Sequence, residues 1–444
     1  MKNKILSRKR IVVGIISILG ILLLLIFYAN KKENTINNKE QILQIEPKLS
    51  LEGLCSGEEN CVAFCLNNRN RCEQYCKDRE DKLCKIIFSE NNKRSLLGEV
   101  NRDCEGTKIK FDYSPVNLNK TLVMLPRGLM VGGHVTPVNH HYFQNFDNKE
   151  YNIEVYSPGK GYITTIGHMP DAEEGKDYHI TIEFSCTISS YYIYVSNLPE
   201  KIKKYAPPLH DYASVRIPVE AGELIGYYKN NLDFNLIDKE ITLIGFVIPE
   251  HYELEDYKIH IVPNTYEYFN EPVKSQLIAK SVRSAEPISG KIDYDIDGKL
   301  IGNWFLEGTH EYSENKIEKY WEGHLTFAYD YVDPKRIVIS IAGYNGEDSK
   351  QFGIKGNLPD PKNVDVNNGL IRYELVDYRY IAPDGKYWDS KSLVKNLRSE
   401  SNEIVQGVVL VQMIENRKIK FEVFPKKMVS QVSGFTENAK IYER

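Results

Sequence analysis

The sequence lacks an excess of basic residues, and it contains little tryptophan. It has 57 Lys and Arg residues against 61 Asp and Glu residues, and 3 Trp residues against 30 Tyr and 16 Phe. Because nucleic-acid binding relies on clustered cations that neutralise phosphates, this balance argues against a nucleic-acid partner. Abundant Tyr and Phe favour strand-rich folds, so we expect a mostly β protein. At 444 residues the chain exceeds one domain of usual size.

The first thirty residues predict a membrane anchor. Residues 1–10 are a basic segment, and residues 11–28 form an apolar run without charge. As a helix this run spans roughly 27 Å, close to the hydrocarbon thickness of a bilayer. The leading cations keep residues 1–10 cytoplasmic. No small-residue cleavage site follows, which favours an uncleaved anchor over a signal peptide. We expect a single-pass cell-membrane protein with an extracytoplasmic bulk, lifted by a polar tether at residues 29–50.

Eight cysteines agree with an oxidising location outside the cytoplasm. Six of them lie within residues 51–90, and Cys61 with Cys65 and Cys72 with Cys76 are each four apart, so that each pair shares a helix face; this predicts a helical hairpin held by disulfides. Antiparallel pairing gives three bonds, and the two remaining cysteines give a fourth: Cys55–Cys84, Cys61–Cys76, Cys65–Cys72 and Cys104–Cys186. A zinc site is the alternative for the six, but no histidine lies within residues 1–133 to complete one.

Two β domains are predicted beyond the hairpin. Residues 105–262 hold alternating or apolar segments at 151–156, 178–184, 191–195 and 241–248. Apolar residues at helical spacing then predict a linker helix within residues 263–285. A β barrel or sandwich is expected over residues 286–444, with a short helix at 390–397 and eight candidate strands: 291–296, 299–305, 324–332, 336–343, 351–355, 370–381, 407–414 and 418–424.

Two features of the last domain are interpreted as structural. Asp293, Asp295 and Asp297 have the spacing of a calcium loop, but the twelfth position is Trp304 instead of a bidentate Glu. The segment is therefore expected to be a strand that ends in an Asp–Gly turn. Trp304 itself is expected in the core, because no set of acids, bases or metal ligands accompanies it.

A glycine-rich segment at residues 128–143 contains three of the ten histidines: His134, His140 and His141. Imidazole is the commonest transition-metal ligand in proteins, and glycine allows the backbone to approach a site closely. The segment is therefore a candidate metal or polar site. A turn whose histidines hydrogen-bond to carbonyl groups explains the same residues.

The motifs around this segment resemble a known family. Residues 155–163 (VYSPGKGYI), 178–184 (YHITIEF), 191–198 (YYIYVSNL), 217–227 (IPVEAGELIGY) and 232–236 (LDFNL) follow one another in the order found in lysostaphin-like zinc metallopeptidases. These are murein endopeptidases that cut peptide cross-bridges in cell walls. The resemblance covers roughly residues 120–250 and implies a lysostaphin-like β domain with the duplicated hybrid motif fold.

The resemblance also implies where ligands should lie. Family members hold Zn²⁺ with a His, an Asp four residues later, and the second His of a His-x-His strand. His141 with Asn145 can occupy the first pair, although His134 or His140 can be aligned instead. The His-x-His strand falls on residues 231–233, so that Asp233 is the one matching acid. The candidate site residues are therefore His134, His140, His141 and Asp233, with zinc at His141 and Asp233 as the metal to consider.

The incomplete ligand set decides the expected function. The family's catalytic His falls near Val195, and Asn145 is neutral where the family has a carboxylate. Such a set would hold zinc weakly and would not activate water, so no cofactor is expected. We expect a degenerate, non-catalytic domain that binds a cell-surface polymer, a glycan or a protein. The alternative is an active zinc metallopeptidase or cell-wall hydrolase with a rearranged ligand set.

Labelling of intact cells tests the predicted topology and the hairpin disulfides together. A membrane-impermeant maleimide should leave the six cysteines of residues 51–90 unmodified until a reductant is added, because disulfide sulfurs do not react with it. Labelling is measured by mass spectrometry after digestion. Free modification of all six without reductant would contradict the disulfides. Protection of the later domains from protease added to intact cells would contradict the outward orientation.

Overall fold

The computed structural model describes residues 109–146, 152–168, 177–311, 319–346 and 349–444, all within one compact unit that spans residues 94–444. None of the helices in these ranges is long and apolar enough to cross a membrane. The basic segment, membrane span, tether and hairpin predicted over residues 1–90 lie outside the described residues. Cys186 lies in a turn, and its predicted partner Cys104 also lies outside them, so all four disulfides remain predictions.

The described chain is mostly β, and its first part forms a seven-stranded antiparallel sheet. The strand order is β1–β2–β9–β6–β5–β4–β7, and β3 pairs separately with β8. The strands are β1 Val123–Leu125, β2 His141–Gln144, β3 Ile153–Tyr156, β4 Gly161–His168, β5 Tyr178–Glu183, β6 Ile188–Val195, β7 Tyr212–Val219, β8 Leu224–Tyr228 and β9 Asn231–Asp238. A four-residue helix, α1 (Glu200–Lys203), follows β6.

Alternation along the strands decides which face of this sheet is buried in the core. In β5, Ile180 and Ile182 are fully buried, whereas His179 and Thr181 point to the opposite face. The isoleucines pack with side chains from β4, β6 and β9 in one large hydrophobic cluster. The opposite face is the one that carries the polar side chains of the candidate site.

Short helices lie in the connections between strands. The α-helix α2 (Val273–Lys280) lies within the predicted linker and buries Val273 and Leu277. A 3₁₀ segment of 12 residues follows β9 at Pro249–His260. Shorter 3₁₀ helices lie at Thr265–Tyr268, Tyr320–Gly323, Lys355–Asn357, Pro361–Asn363, Val366–Asn368 and Val429–Gln431.

The C-terminal part is a closed barrel of eight antiparallel strands in sequence order. The strands are β10 Gly302–Leu306, β11 His324–Tyr329, β12 Ile337–Ile341, β13 Lys350–Ile354, β14 Ile371–Ile381, β15 Arg398–Glu415, β16 Lys418–Pro425 and β17 Lys440–Glu443. The barrel closes where β10 pairs with β17, with Phe305 opposite Glu443 and Leu306 opposite Tyr442. Of the two predicted architectures, barrel and sandwich, the chain forms the barrel.

Trp304 fills one end of the barrel and has no exposed surface. The guanidinium of Arg444 lies 3.8 Å from the centre of the indole ring. Its Nη2 donates to the carbonyl oxygens of Lys299 and Ile301, both at 2.9 Å. The last residue of the chain therefore closes this end of the barrel, and Trp304 is a core residue as expected.

Two of the predicted strands are wrong, and they fail for one reason. Residues 241–248 and 291–296 form no ladder; instead, the backbone N–H of Asp295 donates to the Gly245 carbonyl at 2.9 Å. The Asp293 carboxylate accepts from the Gly245 N–H, and the Asp295 carboxylate accepts from Val247. A Cβ at Gly245 would lie 1.9 Å from the Asp293 carbonyl oxygen. The two segments therefore satisfy each other's backbone hydrogen-bonding groups at the junction of sheet and barrel, and neither needs a neighbouring strand there.

The connection between β14 and β15 also differs from expectation. Residues 390–397 do not form the predicted helix; Asp389 accepts from the N–H groups of Lys391 and Ser392 in a tight turn instead. The β14–β15 hairpin is longer than the apolar segments predicted at residues 370–381 and 407–414. The buried Leu397 near its turn packs with side chains of the sheet. Strand β17 was not predicted, because only Tyr442 of its four residues is buried.

Sheet and barrel share buried side chains. One hydrophobic cluster contains Tyr191 and Ile237 of the sheet, Phe246 of the segment after β9 and Phe305 of the barrel. A second shared cluster joins Tyr142 of the sheet to Val332 after β11. The described part of the chain therefore has a continuous interior, although the seven-stranded sheet and the barrel are separate.

Truncation of Trp304 tests its place in the barrel. We expect Trp304→Ala to lower the free energy of unfolding of the unit spanning residues 94–444 by about 3 to 5 kcal/mol, because a large cavity would form beneath Arg444. Urea denaturation followed by circular dichroism measures this. Tyr387→Ala is the matched control, since Tyr387 is 60% exposed. Equal effects of the two substitutions would contradict the assignment.

Candidate functional site

The histidine-rich segment forms a narrow loop ahead of β2. The Gly128 N–H donates to the Val138 carbonyl at 2.8 Å, and the loop reverses between Val131 and His134. Gly128 has φ +93°, and a Cβ there would lie 2.4 Å from the carbonyl oxygen of Lys291. Glycine is thus required where the loop packs against the chain that enters the barrel. His134 is exposed at the loop tip, whereas His140 is buried at its end.

The register between β2 and β9 separates two of the predicted ligands. His141 lies opposite Phe234, and Tyr142 lies opposite Asp233. Because paired residues share a face and neighbours alternate, His141 and Asp233 point to opposite faces of the sheet. The structure therefore does not bring together the two residues at which zinc was expected.

His141 is part of the core. Its Nε2 lies 3.0 Å from the Thr265 hydroxyl, and its ring centre lies 6.0 Å from that of Tyr266. Complete burial lowers the pKa of His141 well below its ordinary value, and the positive charge of Arg127 lowers it further. A neutral, enclosed imidazole bonded to a hydroxyl group stabilises the fold and is not available to a substrate.

His140 and Asp233 are the two candidates that meet. The His140 Nε2 lies 3.1 Å from Asp233 Oδ2, and its Nδ1 lies 2.9 Å from Asn139 Oδ1. The Asn231 amide donates to Asp233 Oδ1 at 2.6 Å, and the Tyr191 hydroxyl donates to Asn139 Oδ1 at 3.1 Å. His140 is 8% exposed and Asp233 3%. The histidine and the acid thus form a buried pair at ion-pair distance, and each is hydrogen-bonded to a neighbouring asparagine.

The donor set around the pair does not suit zinc. Four residues after His140 comes Gln144, and two residues before Asp233 comes Asn231, so that amides stand where the family pattern has an Asp and a His. The side-chain oxygens Gln144 Oε1 and Asn231 Oδ1 are buried without a hydrogen bond from any described residue. Zinc favours imidazole, thiolate and carboxylate ligands over amide oxygens. Within the described ranges, no group of three or more His, Cys, Asp or Glu side chains could hold a metal ion.

Groups from three separate segments fill the surroundings of the pair. Glu311, from the connection between β10 and β11, forms a buried ion pair with Lys258 of the 3₁₀ segment Pro249–His260. The Thr136 hydroxyl of the histidine-rich loop donates to the same Glu311 carboxylate at 3.2 Å. Tyr257 packs edge-on against Tyr191, with ring centres 5.4 Å apart. The polar face of the sheet is therefore packed against the 3₁₀ segment Pro249–His260 and the barrel at this point.

Sequence reasoning missed the partners that define this site. Lys258 and Glu311 are far apart in sequence and belong to no motif, so only the fold brings them together. Thr265, whose hydroxyl group is hydrogen-bonded to His141, lies beyond the last strand predicted within residues 105–262. Asn139 was visible beside His140, but nothing in the sequence indicated that its oxygen would orient the ring.

Comparisons with known proteins give distant matches. No family model and no curated protein matches the chain. Part of it is similar to a solved zinc-containing peptidase from Vibrio cholerae, with 16% identity, a TM-score of 0.22, and coverage of 30% of this chain and 38% of that one. The solved SpoIIQ–SpoIIIAH pore-forming complex is matched at 11% identity and a TM-score of 0.24, over 38% of this chain and 96% of that one.

The first of these matches is to a zinc peptidase, the class that the sequence motifs resemble. The chain spans well under half of the length of that peptidase. At such TM-scores neither match carries an argument about what this chain binds or catalyses.

Buried histidines make the stability of the unit depend on pH. Burial lowers the pKa of His324 to about 3 and that of His179 to about 4, from an ordinary value of 6.5, and it lowers that of His141 as well. Below pH 6.5 the unfolded chain therefore takes up protons that the folded chain cannot. Each such histidine should cost about 1.4 kcal/mol per pH unit until its folded pKa is reached.

His324→Gln should therefore flatten the loss of stability between pH 6 and pH 4.5 by about 1.4 kcal/mol per pH unit. Urea denaturation at a series of pH values measures the slope. His210→Gln, at an exposed position, is the control and should leave it unchanged. If the free energy of unfolding fell equally steeply with pH in the wild-type chain and in His324→Gln, His324 would not be held neutral in the folded state.

Proposed function

We propose that this chain is a membrane-anchored extracytoplasmic protein whose lysostaphin-like β domain binds a cell-surface polymer, a glycan or a protein without hydrolysing it. One observation carries the proposal. Of the four candidate residues, only His140 and Asp233 meet on the polar face; the amide Gln144 occupies the family's Asp ligand position, and Asn231 stands at the first His of its His-x-His strand.

The chemistry of metal-dependent hydrolysis needs more than this pair offers. A catalytic zinc site has three protein ligands and a water whose pKa the metal lowers. A further donor must stabilise the oxyanion that develops during attack. The family's catalytic histidine falls near Val195 of this chain, and Val195 is fully buried. The pair itself is enclosed, so an extended polymer cannot reach it in the described arrangement.

The location is part of the proposal and is supported by the sequence. The basic segment at residues 1–10, the apolar run at 11–28 and the clustered cysteines all favour an anchored chain with an outward-facing bulk. A binding role in that location needs a stable scaffold. The continuous interior shared by sheet and barrel supplies one.

The second candidate function is a zinc hydrolase with a rearranged ligand set. It has one supporting observation: the exposed His134 ring lies 6.4 Å from that of His140, with the planes nearly perpendicular. A modest shift of the loop tip would bring a second imidazole to the pair. His141 cannot join this set, because it lies on the other face.

Metal analysis of the full-length chain in lipid nanodiscs tests the proposal. The wild-type chain should retain well under one zinc per molecule after exposure to zinc and gel filtration, because it has too few ligands. The double variant Gln144→Asp, Asp233→His should gain about one zinc, since it supplies a His, an Asp and a His at the family positions. His210→Ala, which changes an exposed histidine, controls for adventitious metal.

The contradicting outcome is equally specific. Stoichiometric zinc in the wild-type chain, lost in both His140→Ala and His134→Ala and accompanied by release of peptide from cell-wall fragments, would establish the rearranged hydrolase instead. Failure of the double variant to gain zinc would contradict the alignment of Gln144 and Asp233 with the family ligands.

A further inference from the structure

Strand β7 lies at one edge of the seven-stranded sheet. Among the described residues only β4 pairs with it, and no strand lies beside its outer edge. An edge strand presents unpaired N–H and C=O groups and is therefore able to pair with a further strand. Ala213 and Val215, on the core side of β7, are only half-buried. The hydrophobic interior of the sheet is thus incompletely covered at this edge.

Two hydrogen bonds establish which backbone groups of β7 point away from β4. The carbonyl of Asp211, just before the strand, accepts from the N–H of His168 in β4 at 3.1 Å. Near the other end, the carbonyl of Pro218 accepts from Lys201 Nζ, which follows the first residue of α1, at 2.8 Å on the outer side. Successive residues of a strand direct their backbone groups to opposite edges. Both ends therefore place the backbone groups of the even-numbered residues from 212 to 216 on the outer edge.

The outer edge is closed at its C-terminal end and open at its N-terminal end. Pro218 has no N–H to donate, and its carbonyl is already bonded to Lys201. Proline and lysine are features that protect natural edge strands from association. Neither residue type occurs at residues 212–216. There the Tyr212 N–H donates to the neighbouring Asp211 carboxylate at 2.8 Å, and no described residue bonds to the next two outward positions.

The side chains of this open stretch suit a second copy of the same strand. Tyr212, Ser214 and Arg216 share the polar face of the sheet, and Tyr212 is 62% exposed. The Arg216 guanidinium lies 4.7 Å from the centre of the Tyr162 ring of its own sheet. In an antiparallel pair centred on Ser214, Tyr212 of each copy lies opposite Arg216 of the other. An arginine opposite a tyrosine is a favourable cross-strand pair, and no like charges oppose each other in this register.

We infer that β7 pairs with β7 of a second copy of this chain, antiparallel and centred on Ser214. The two seven-stranded sheets then continue into one, with a two-fold axis at the paired Ser214 residues. The outward backbone groups of Tyr212, Ser214 and Arg216 bond to those of the other copy, and the Tyr212 N–H exchanges Asp211 for this bond. Because the paired stretch is short, the association is expected to be weak. The inference goes beyond the proposed function and does not depend on it.

Sedimentation equilibrium of the full-length chain in density-matched detergent micelles tests the inference. The wild-type chain should form dimers at concentrations up to about 100 µM, the range of short, weak interfaces. Tyr212→Arg should weaken the dimer about tenfold or more, because arginines then oppose each other at both pairs. The double variant Tyr212→Arg, Arg216→Tyr should restore it, since each arginine again faces a tyrosine. Tyr387→Arg, at an exposed position between β14 and β15, controls for the added charge.

Cross-linking locates the contact and separates a second copy from other partners. Ser214→Cys should form a disulfide between two copies on mild oxidation, because paired Cα atoms about 5.5 Å apart are within reach of a disulfide. Ser433→Cys, at an exposed position beyond β16, should stay at the background of the wild-type chain. A wild-type chain that stays monomeric, or a dimer equally strong in Tyr212→Arg, would overturn the inference. So would cross-linking of Ser214→Cys in cells to a different protein, which would assign the edge to that partner.

Discussion

The pairing register of β2 with β9 is the constraint on which the candidate site depends. It sets Tyr142 opposite Asp233, so that His140 reaches the acid while His141 turns into the core. A shift of one residue would exchange the two histidines between the faces of the sheet. Thr265, which bonds to His141, and Asn139, which bonds to His140, stabilise opposite sides of this arrangement. The register therefore fixes which histidine is structural and which is part of the polar pair.

The barrel is part of the same structural unit as that pair. Glu311, Lys258 and Thr136 bring the barrel, the 3₁₀ segment Pro249–His260 and the histidine-rich loop together through a buried ion pair and a hydroxyl group. Loss of Lys258 or Glu311 would leave a buried charge without its partner, which is costly. This interlocking explains why the polar face is enclosed at this point.

The sequence was informative where local pattern and burial coincide. Ile180 and Ile182 alternate with polar residues, and the strand predicted there is present. The apolar run at residues 241–248 looks equally like a strand, but Asp293 and Asp295 satisfy its backbone in another way. The choice between His140 and His141 remained open, because adjacent residues cannot be assigned to faces before the register is known. The pairing of Lys258 with Glu311 has no local signature at all.

The central claim is that His140 and Asp233 form a closed pair without the third ligand that zinc chemistry needs. Crystals of the unit spanning residues 94–444, grown with zinc and measured at the zinc absorption edge, test it most directly. No anomalous peak should lie within coordination distance of His140 Nε2, and the contact between that atom and Asp233 should be intact. A peak bound by His140, Asp233 and His134 together would contradict it.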